Sequence, residues 1–426
     1  MALNATQLAA NLTAQLLAQS SNTLSDIRNV EYAMGTMALL FLAAYYRAYS
    51  QLYKHYKENM ATYRHPHDRR HRYYEMKRVC YYLLPRGSGA TEWSSELNPD
   101  VIDDTLCTHV LVGALAVSAQ GRLVTVLPKH EELISKIART KLKVLLSVGA
   151  NHAAALSHVV AYRWTRLRFI RSAVRMVRKY RLSGIDLDWE IPGWLSGHVG
   201  DRYLFRLLLQ DFRSYMKETK KVFLLSASIC AIPAAMPSTY DVRGLSRYLD
   251  FINLMAHDLD FSRPWRQSTS HHSPLFPKLL NKHDERTAHS CVSAVRHWAQ
   301  LGMPHEKIVL GIPLYARVYQ LEDPSENGWG SRALGQAVLP FNKVCQILKE
   351  GSVTVMDKTA YAPYAYLGDV WISYENVESV VLKCLWADSV GLGGVMTYAI
   401  DMDDWEGKCD NNTKFPIHKA IWKTIG

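Results

Sequence analysis

From residue 79 to the carboxy terminus, short apolar runs alternate with longer stretches in which apolar positions recur every three to four residues. The short runs, 79–84, 108–116, 143–148, 183–190, 222–228, 249–255, 308–313 and 394–398, read as strands. Between them, 131–139, 163–180, 201–219, 285–301 and 377–389 carry helical periodicity, and 163–180 is also strongly basic. Strands separated mostly by helices predict an α/β fold, the closed (β/α)8 or TIM barrel. Residues 318–376, ahead of the last helix and strand, are rich in Tyr, Gly and Asp. Their length suits a small α+β insertion subdomain.

The run 183–190 reads Ser-Gly-Ile-Asp-Leu-Asp-Trp-Glu. Asp186, Asp188 and Glu190 stand at i, i+2 and i+4, which puts all three carboxyls on one face of a strand. Ile185, Leu187 and Trp189 make the other face apolar, as in a strand buried on both sides. Stacked carboxylates repel one another and resist burial, so at least one holds a proton near neutral pH and becomes a candidate general acid. In such barrels the chemistry lies at the carboxy-terminal strand ends, where Glu190 falls.

Composition narrows the partners. The chain has 426 residues and a net charge of +11. Between Arg47 and Arg78, nine Lys or Arg face three Asp or Glu, a balance of +6, with four His besides. More than half of the excess thus sits in one segment, which reads as a basic juxtamembrane or linker stretch. No zinc-finger spacing, RNA-recognition signature or basic heptad accompanies it, so no nucleic-acid partner is expected. Seven cysteines without a CxxC pair give no metal signature, and neither metal nor cofactor is expected. Cys80 and Cys107 flank the first two apolar runs, and Cys345 and Cys409 bracket the last quarter, so two disulfides fit an oxidising compartment. Cys230, Cys291 and Cys384 lie in apolar segments and read as small buried hydrophobes.

Residues 1–78 form an amino-terminal extension to the barrel region, 79–426. Residues 1–28 are rich in Ala, Leu, Gln, Asn and Ser, with Asn-x-Thr sequons at Asn4 and Asn11. A mostly apolar run follows over 32–46, the centre of a candidate signal-anchor helix at about 30–47. It is shorter than the ~20 residues of a usual membrane span. The start of the chain has no charged n-region and the apolar run comes late, so an uncleaved anchor is expected rather than a cleaved secretory signal, with a peripheral or core helix as the alternative. The basic flank would orient the barrel towards the cytoplasm. The candidate disulfides and a sequon at Asn411 orient it to the secretory lumen or the cell exterior, and these outweigh a charge bias. Arg69-Arg70-His71-Arg72 reads as either a processing site or a solvated basic linker.

The acidic run resembles the signature of the family 18 glycoside hydrolases, the chitinases and chitinase-like lectins. That signature is Asp-x-x-Asp-x-Asp-x-Glu on the fourth strand, and Ser183 stands in its first acidic position. Val79-Cys80-Tyr81-Tyr82 and Leu106-Cys107-Thr108-His109 resemble the family's first-strand cysteine and its partner. Ser147-Val148-Gly149 resembles the third-strand motif, and Tyr248 to Asn253 followed by Met255-Ala256-His257-Asp258 the sixth-strand motif. His272-Ser273-Pro274-Leu275, Pro313-Leu314-Tyr315-Ala316-Arg317 and Gly393-Gly394-Val395-Met396 continue the series, so the likeness runs from about 79 to 426.

The resemblance implies hydrolysis of β-1,4-linked N-acetylglucosamine polymers such as chitin, with the substrate's own N-acetyl oxygen as nucleophile. Glu190 would protonate the leaving oxygen, Asp188 orient the acetamido group, and Asp186 share a proton behind it. His257, Asp258, Tyr315, Arg317, Tyr398, Trp265 and Trp194 are the implied sugar contacts. Several positions depart from the pattern. His257 replaces a Tyr that helps to hold the N-acetyl group, and Tyr398 replaces the Trp beneath the distorted sugar. Ala114 and Asn151 stand where Phe and Trp are usual, and Ile191 where Tyr is common. A ring lost from a stacking platform costs about 1 to 3 kcal/mol, so a non-catalytic glycan-binding protein on the same barrel is the second expectation.

Overall fold

The computed structural model describes residues 75–85, 97–149, 153–193, 198, 200–232, 239–260, 267–278, 289–409 and 412–426. The candidate anchor, the Arg69–Arg72 run and the sequons at Asn4, Asn11 and Asn411 lie outside the described residues, as do Asn151, Trp194 and Trp265.

The barrel strands are β1 (Lys77–Leu83), β2 (His109–Val117), with a short antiparallel β3 (Leu123–Val124) beside it, β4 (Lys143–Gly149), β5 (Gly184–Asp188), β6 (Leu224–Cys230), β7 (Phe251–Met255) and β8 (Ile308–Pro313). Inserted after them come β9 (Tyr315–Leu321), β10 (Ala333–Pro340), β11 (Val353–Asp357), β12 (Ala362–Leu367) and β13 (Val370–Ser373), before β14 (Gly394–Tyr398) completes the barrel. Closure follows from the pairing. β1 lies parallel to both β2 and β14, while β14-β8-β7-β6-β5-β4-β2 run in order around the rest. The outward residues of β5 show why the strand is buried on both faces. Ile185 and Leu187 are fully enclosed, and the Trp189 ring just beyond meets Phe205 of helix Asp201–Thr219 edge-on at 5.3 Å.

Close packing of β4 on β5 needs a residue without a side chain. Gly149 has φ +128°, and a Cβ there would lie 2.2 Å from the Asp188 carbonyl oxygen. Inserted strands form a separate antiparallel sheet in the order β10-β9-β13-β12-β11. Helix Phe341–Lys349 covers it, and Ala316, Val344, Ala365, Ile372 and Tyr374 pack between them, which makes the insertion α+β.

Covalent and polar ties join these parts. Cys80–Cys107 links β1 to the approach to β2, and Cys345–Cys409 links the insertion helix to the segment after β14. Cys230, Cys291 and Cys384 are free and buried. Lys383, fully enclosed on helix Val377–Ser389, pairs with buried Glu375 and donates to the Ser273 carbonyl at 2.6 Å. Thr397 on β14 is hydrogen-bonded to His418 Nε2 at 2.8 Å, and His418 Nδ1 to Asp403 at 2.7 Å, which fastens the carboxy-terminal helix Pro416–Ile425 to the last strand.

The acidic strand is shorter than expected. β5 ends at Asp188, so Asp186 and Asp188 share its inner face while Glu190 lies two residues beyond, at the rim. The helix expected at 285–301 is observed as Cys291–Gln300, with Ser290 and Ser293 closing a capping box at its start; residues 285–288 lie outside the described residues. Helices Ala153–Ala161, Val242–Tyr248 and Pro416–Ile425 were not expected. The first is apolar on most sides and the second has only seven residues, too few for a periodic signal.

Candidate active site at the mouth of the barrel

Alternation along the strands builds the floor. Ser226 and Ser228 on β6, Ser147 on β4 and Asn253 on β7 all point inward at the level of Asp186. Asp186 accepts hydrogen bonds from Ser226 Oγ at 2.6 Å, Ser228 Oγ at 2.9 Å, Ser147 Oγ at 3.1 Å and Asn253 Nδ2 at 3.1 Å. Burial raises its pKa, and these four neutral donors work against the rise.

Asp188, one step up the same face, is held much less firmly. Its Oδ2 accepts from the Tyr81 hydroxyl at 3.2 Å, and its buried Oδ1 has no hydrogen-bond partner among the described residues. Burial, then the charges of Glu190 and Asp186, push its pKa well above the usual carboxylate range. Glu190 stands two residues on, exposed at the strand end yet closely surrounded by protein; that desolvation, and next the charge of Asp258, raise its pKa too. All three pKa values are raised, so the row titrates as a set rather than as three separate acids.

A second wall comes from β7 and the start of β9. Arg317 Nε donates to Asp258 Oδ1 at 2.8 Å, and the Tyr315 hydroxyl donates to Asp258 Oδ2 at 2.8 Å. For Asp258, burial pulls upward, but the Arg317 hydrogen bond and charge outweigh it and hold the pKa below its ordinary value. An ionised Asp258 only accepts, so the Tyr315 proton is committed to it. The 2.9 Å contact between Tyr315 Oη and His257 Nδ1 then requires the proton on Nδ1, leaving His257 Nε2 as a bare acceptor, buried and unpartnered among the described residues. Burial pushes the His257 pKa down to about 4, so the ring is neutral at neutral pH.

Aromatic rings join the two walls. Tyr398, at the end of β14, lies 4.9 Å from the Tyr81 ring, 5.7 Å from His257 and 6.4 Å from Tyr315 between centroids. The structure therefore brings Asp186, Asp188, Glu190, His257, Asp258, Tyr315, Arg317 and Tyr398 to one end of the barrel. Tyr81, Ser147, Ser226, Ser228 and Asn253 are further members of the site that the sequence reading gave no role. A signal existed for Ser226 and Ser228, which recur with period two in an otherwise apolar strand. Among the described residues no group of three or more His, Cys, Asp or Glu is placed to hold a metal ion.

A closed parallel barrel whose fourth strand delivers coupled acids to its carboxy-terminal mouth defines the class: a barrel of the glycoside-hydrolase type. The model of the glycosyl hydrolases family 18 matches residues 77–403, and the chain belongs to that family. Mouse chitotriosidase-1 is 31% identical over 81% of this chain and 77% of its own length. A group IV chitinase of Ostrinia furnacalis, solved in complex with allosamidin, superposes with a TM-score of 0.74 at 30% identity, covering 82% of this chain and 98% of that one. Human YKL-39, described as a pseudo-chitinase with retained chitooligosaccharide binding properties, superposes equally well, with a TM-score of 0.74 at 28% identity over 82% of this chain and all of its own. Proteins named as chitinases and one described as a pseudo-chitinase thus stand at like distance.

Proposed function

We propose that the protein is a chitinase-like glycoside hydrolase that cleaves β-1,4-linked N-acetylglucosamine polymers or a related glycan by a substrate-assisted, retaining mechanism. The observation that carries this is the unpartnered Oδ1 of Asp188 beside an exposed Glu190 whose pKa is raised. Glu190 is the general acid that protonates the leaving oxygen. Glu190 carries the proton it delivers, while Asp188, which shares a proton with Asp186 behind it, turns Oδ1 to the acetamido N–H and steadies with its negative charge the positive charge that grows as the N-acetyl oxygen attacks the anomeric carbon. Tyr398 is the ring under the reacting sugar, and Tyr315 and Arg317 keep Asp258 oriented at the rim. Trp194 and Trp265 complete the proposed sugar contacts from outside the described residues. The two disulfides fit work in an oxidising, extracellular or secretory compartment. Among the described residues no helix is long and apolar enough to cross a membrane. Anchoring through residues 30–47 stays part of the proposal.

His257 favours a second reading, a glycan-binding protein of little or no activity. A neutral ring with a bare Nε2 accepts and cannot donate to an acetamido oxygen at neutral pH, where a Tyr hydroxyl would. Hydrolysis of a fluorogenic chito-oligosaccharide, with Glu190→Gln as control, separates the two. The hydrolase reading expects turnover that falls by about 10²- to 10⁴-fold in Glu190→Gln while oligosaccharide binding stays. Binding without turnover from about pH 4 to 8 would leave only the second reading.

A further inference from the structure

The helix Arg163–Lys179 carries six arginines and one lysine and no acidic residue. Its inner face is accounted for: Phe169, Ile170, Ala173, Val174 and Val177 are buried, and Arg166 is enclosed in a 2.7 Å ion pair with Asp211. The outer face is not. Trp164, Arg168, Arg171, Arg175 and Arg178 follow one another at alternating steps of four and three, which on a helix is one straight stripe, and all five are exposed. The stripe is about 21 Å long at 1.5 Å per residue. Lys179, beside its end, is taken up by Glu131 at 2.8 Å, but among the described residues no ion pair is made by Arg168, Arg171, Arg175 or Arg178. Arginines three and four apart repel one another, so the row costs helix stability, of which Arg168 recovers part by donating to the Gln120 carbonyl at 3.3 Å.

At the amino-terminal end of the stripe stands an exposed aromatic pair. The Tyr162 and Trp164 rings are stacked 14° from parallel at 6.2 Å, with the Arg168 guanidinium 5.0 Å above Trp164. Helices of this barrel run antiparallel to the strands they follow, so this end faces the same way as the barrel mouth and the arginines lead away from it.

We propose that this face binds a sulfated polysaccharide chain. Guanidinium groups are weakly hydrated and match the paired oxygens of sulfate, and a regular row of them fits a linear polyanion rather than a single ion. The exposed Trp164 and Tyr162 faces suit a sugar ring. The disulfides, which belong to oxidising compartments, favour an extracellular glycan over a nucleic acid. This face lies outside the barrel mouth, so the proposal stands independently of any hydrolytic activity.

The test is binding of the full-length protein to heparin, with Arg168→Gln/Arg171→Gln/Arg175→Gln/Arg178→Gln compared with Arg64→Gln/Arg69→Gln/Arg70→Gln/Arg72→Gln, which removes equal charge from the amino-terminal basic segment. Circular dichroism verifies that both fold. The stripe variant is expected to bind about tenfold or more weakly at fixed salt and to show a shallower dependence of affinity on salt, and the segment variant to lose less. A stripe variant that binds heparin like the parent overturns the proposal. So does stripe-dependent binding to phosphatidylserine vesicles or to a single-stranded oligonucleotide that equals or exceeds binding to heparin.

Discussion

Burial and the charges of Glu190 and Asp186 hold the Asp188 carboxyl protonated to a higher pH than in an unfolded chain. A group whose folded pKa is raised supports the fold below its unfolded pKa and loses that support as pH rises through the folded value. At neutral pH Asp188 therefore weakens the fold. Asp188→Asn keeps the shape and an acceptor for Tyr81, and is expected to stabilise the protein by on the order of 1 to 3 kcal/mol at pH 7, with the gain shrinking towards about pH 4 while turnover is lost. Urea denaturation at the two pH values is the measurement; a gain that does not shrink on acidification contradicts the assignment. Asp186, Asp188 and Glu190 were legible as coupled acids from their spacing alone. The chain of donors from Arg317 through Asp258 and Tyr315 to His257 was not, because it joins residues some sixty positions apart whose meeting depends on how β7 and β9 are placed.

Among the elements, the helix Val377–Ser389 carries the clearest energetic test. Lys383 and Glu375 are both enclosed, and burial raises the Glu375 pKa against the pull of Lys383 and Ser379. Lys383→Met strands a buried carboxyl and is expected to cost about 3 to 5 kcal/mol, read from the urea midpoint. Lys383→Met/Glu375→Leu is expected to recover much of that, since two apolar groups replace two charges. Each of the eight barrel strands announced itself as an apolar run, because a strand buried on both faces has no polar alternation to blur it. The end of β5 was misjudged for the same reason. Trp189 is as apolar as Leu187, so nothing in the pattern marks where ladder pairing stops and the rim begins.

At the scale of the whole molecule, several buried histidines set a pH limit. Burial pushes His109 and His272 down to about 3 and His257 to about 4, and it lowers His271 as well. A histidine with a depressed folded pKa is protonated first in the unfolded chain, so stability falls as pH drops below about 6.5 and continues to fall to the folded value. Each contributes a slope of up to about 1.4 kcal/mol per pH unit in that window. The acidic row opposes this, since its raised pKa values favour the folded state on acidification. The prediction is a net fall in the urea midpoint from pH 7 to 5 that becomes shallower in His109→Gln; an unchanged slope contradicts it. Chain-wide charge was read from the sequence as concentrated near residues 47–78, with 163–180 a second, basic helical stretch; the structure adds that exposure sorts its buried Arg166 from the row of exposed arginines beside it.

β1 finds one of its two partners almost at once, in β2, and the other only when Gly394–Tyr398 has been made. During synthesis the growing sheet therefore carries two open edges through nearly the whole of translation, and the ring under the proposed sugar site is among the last residues to arrive. A chain released between Asp258 and Gly394 would leave the ribosome with its acids made and its sheet unclosed. Such a fragment would tend to join edges with another copy. Closure of the barrel thus waits on the docking of the last strand.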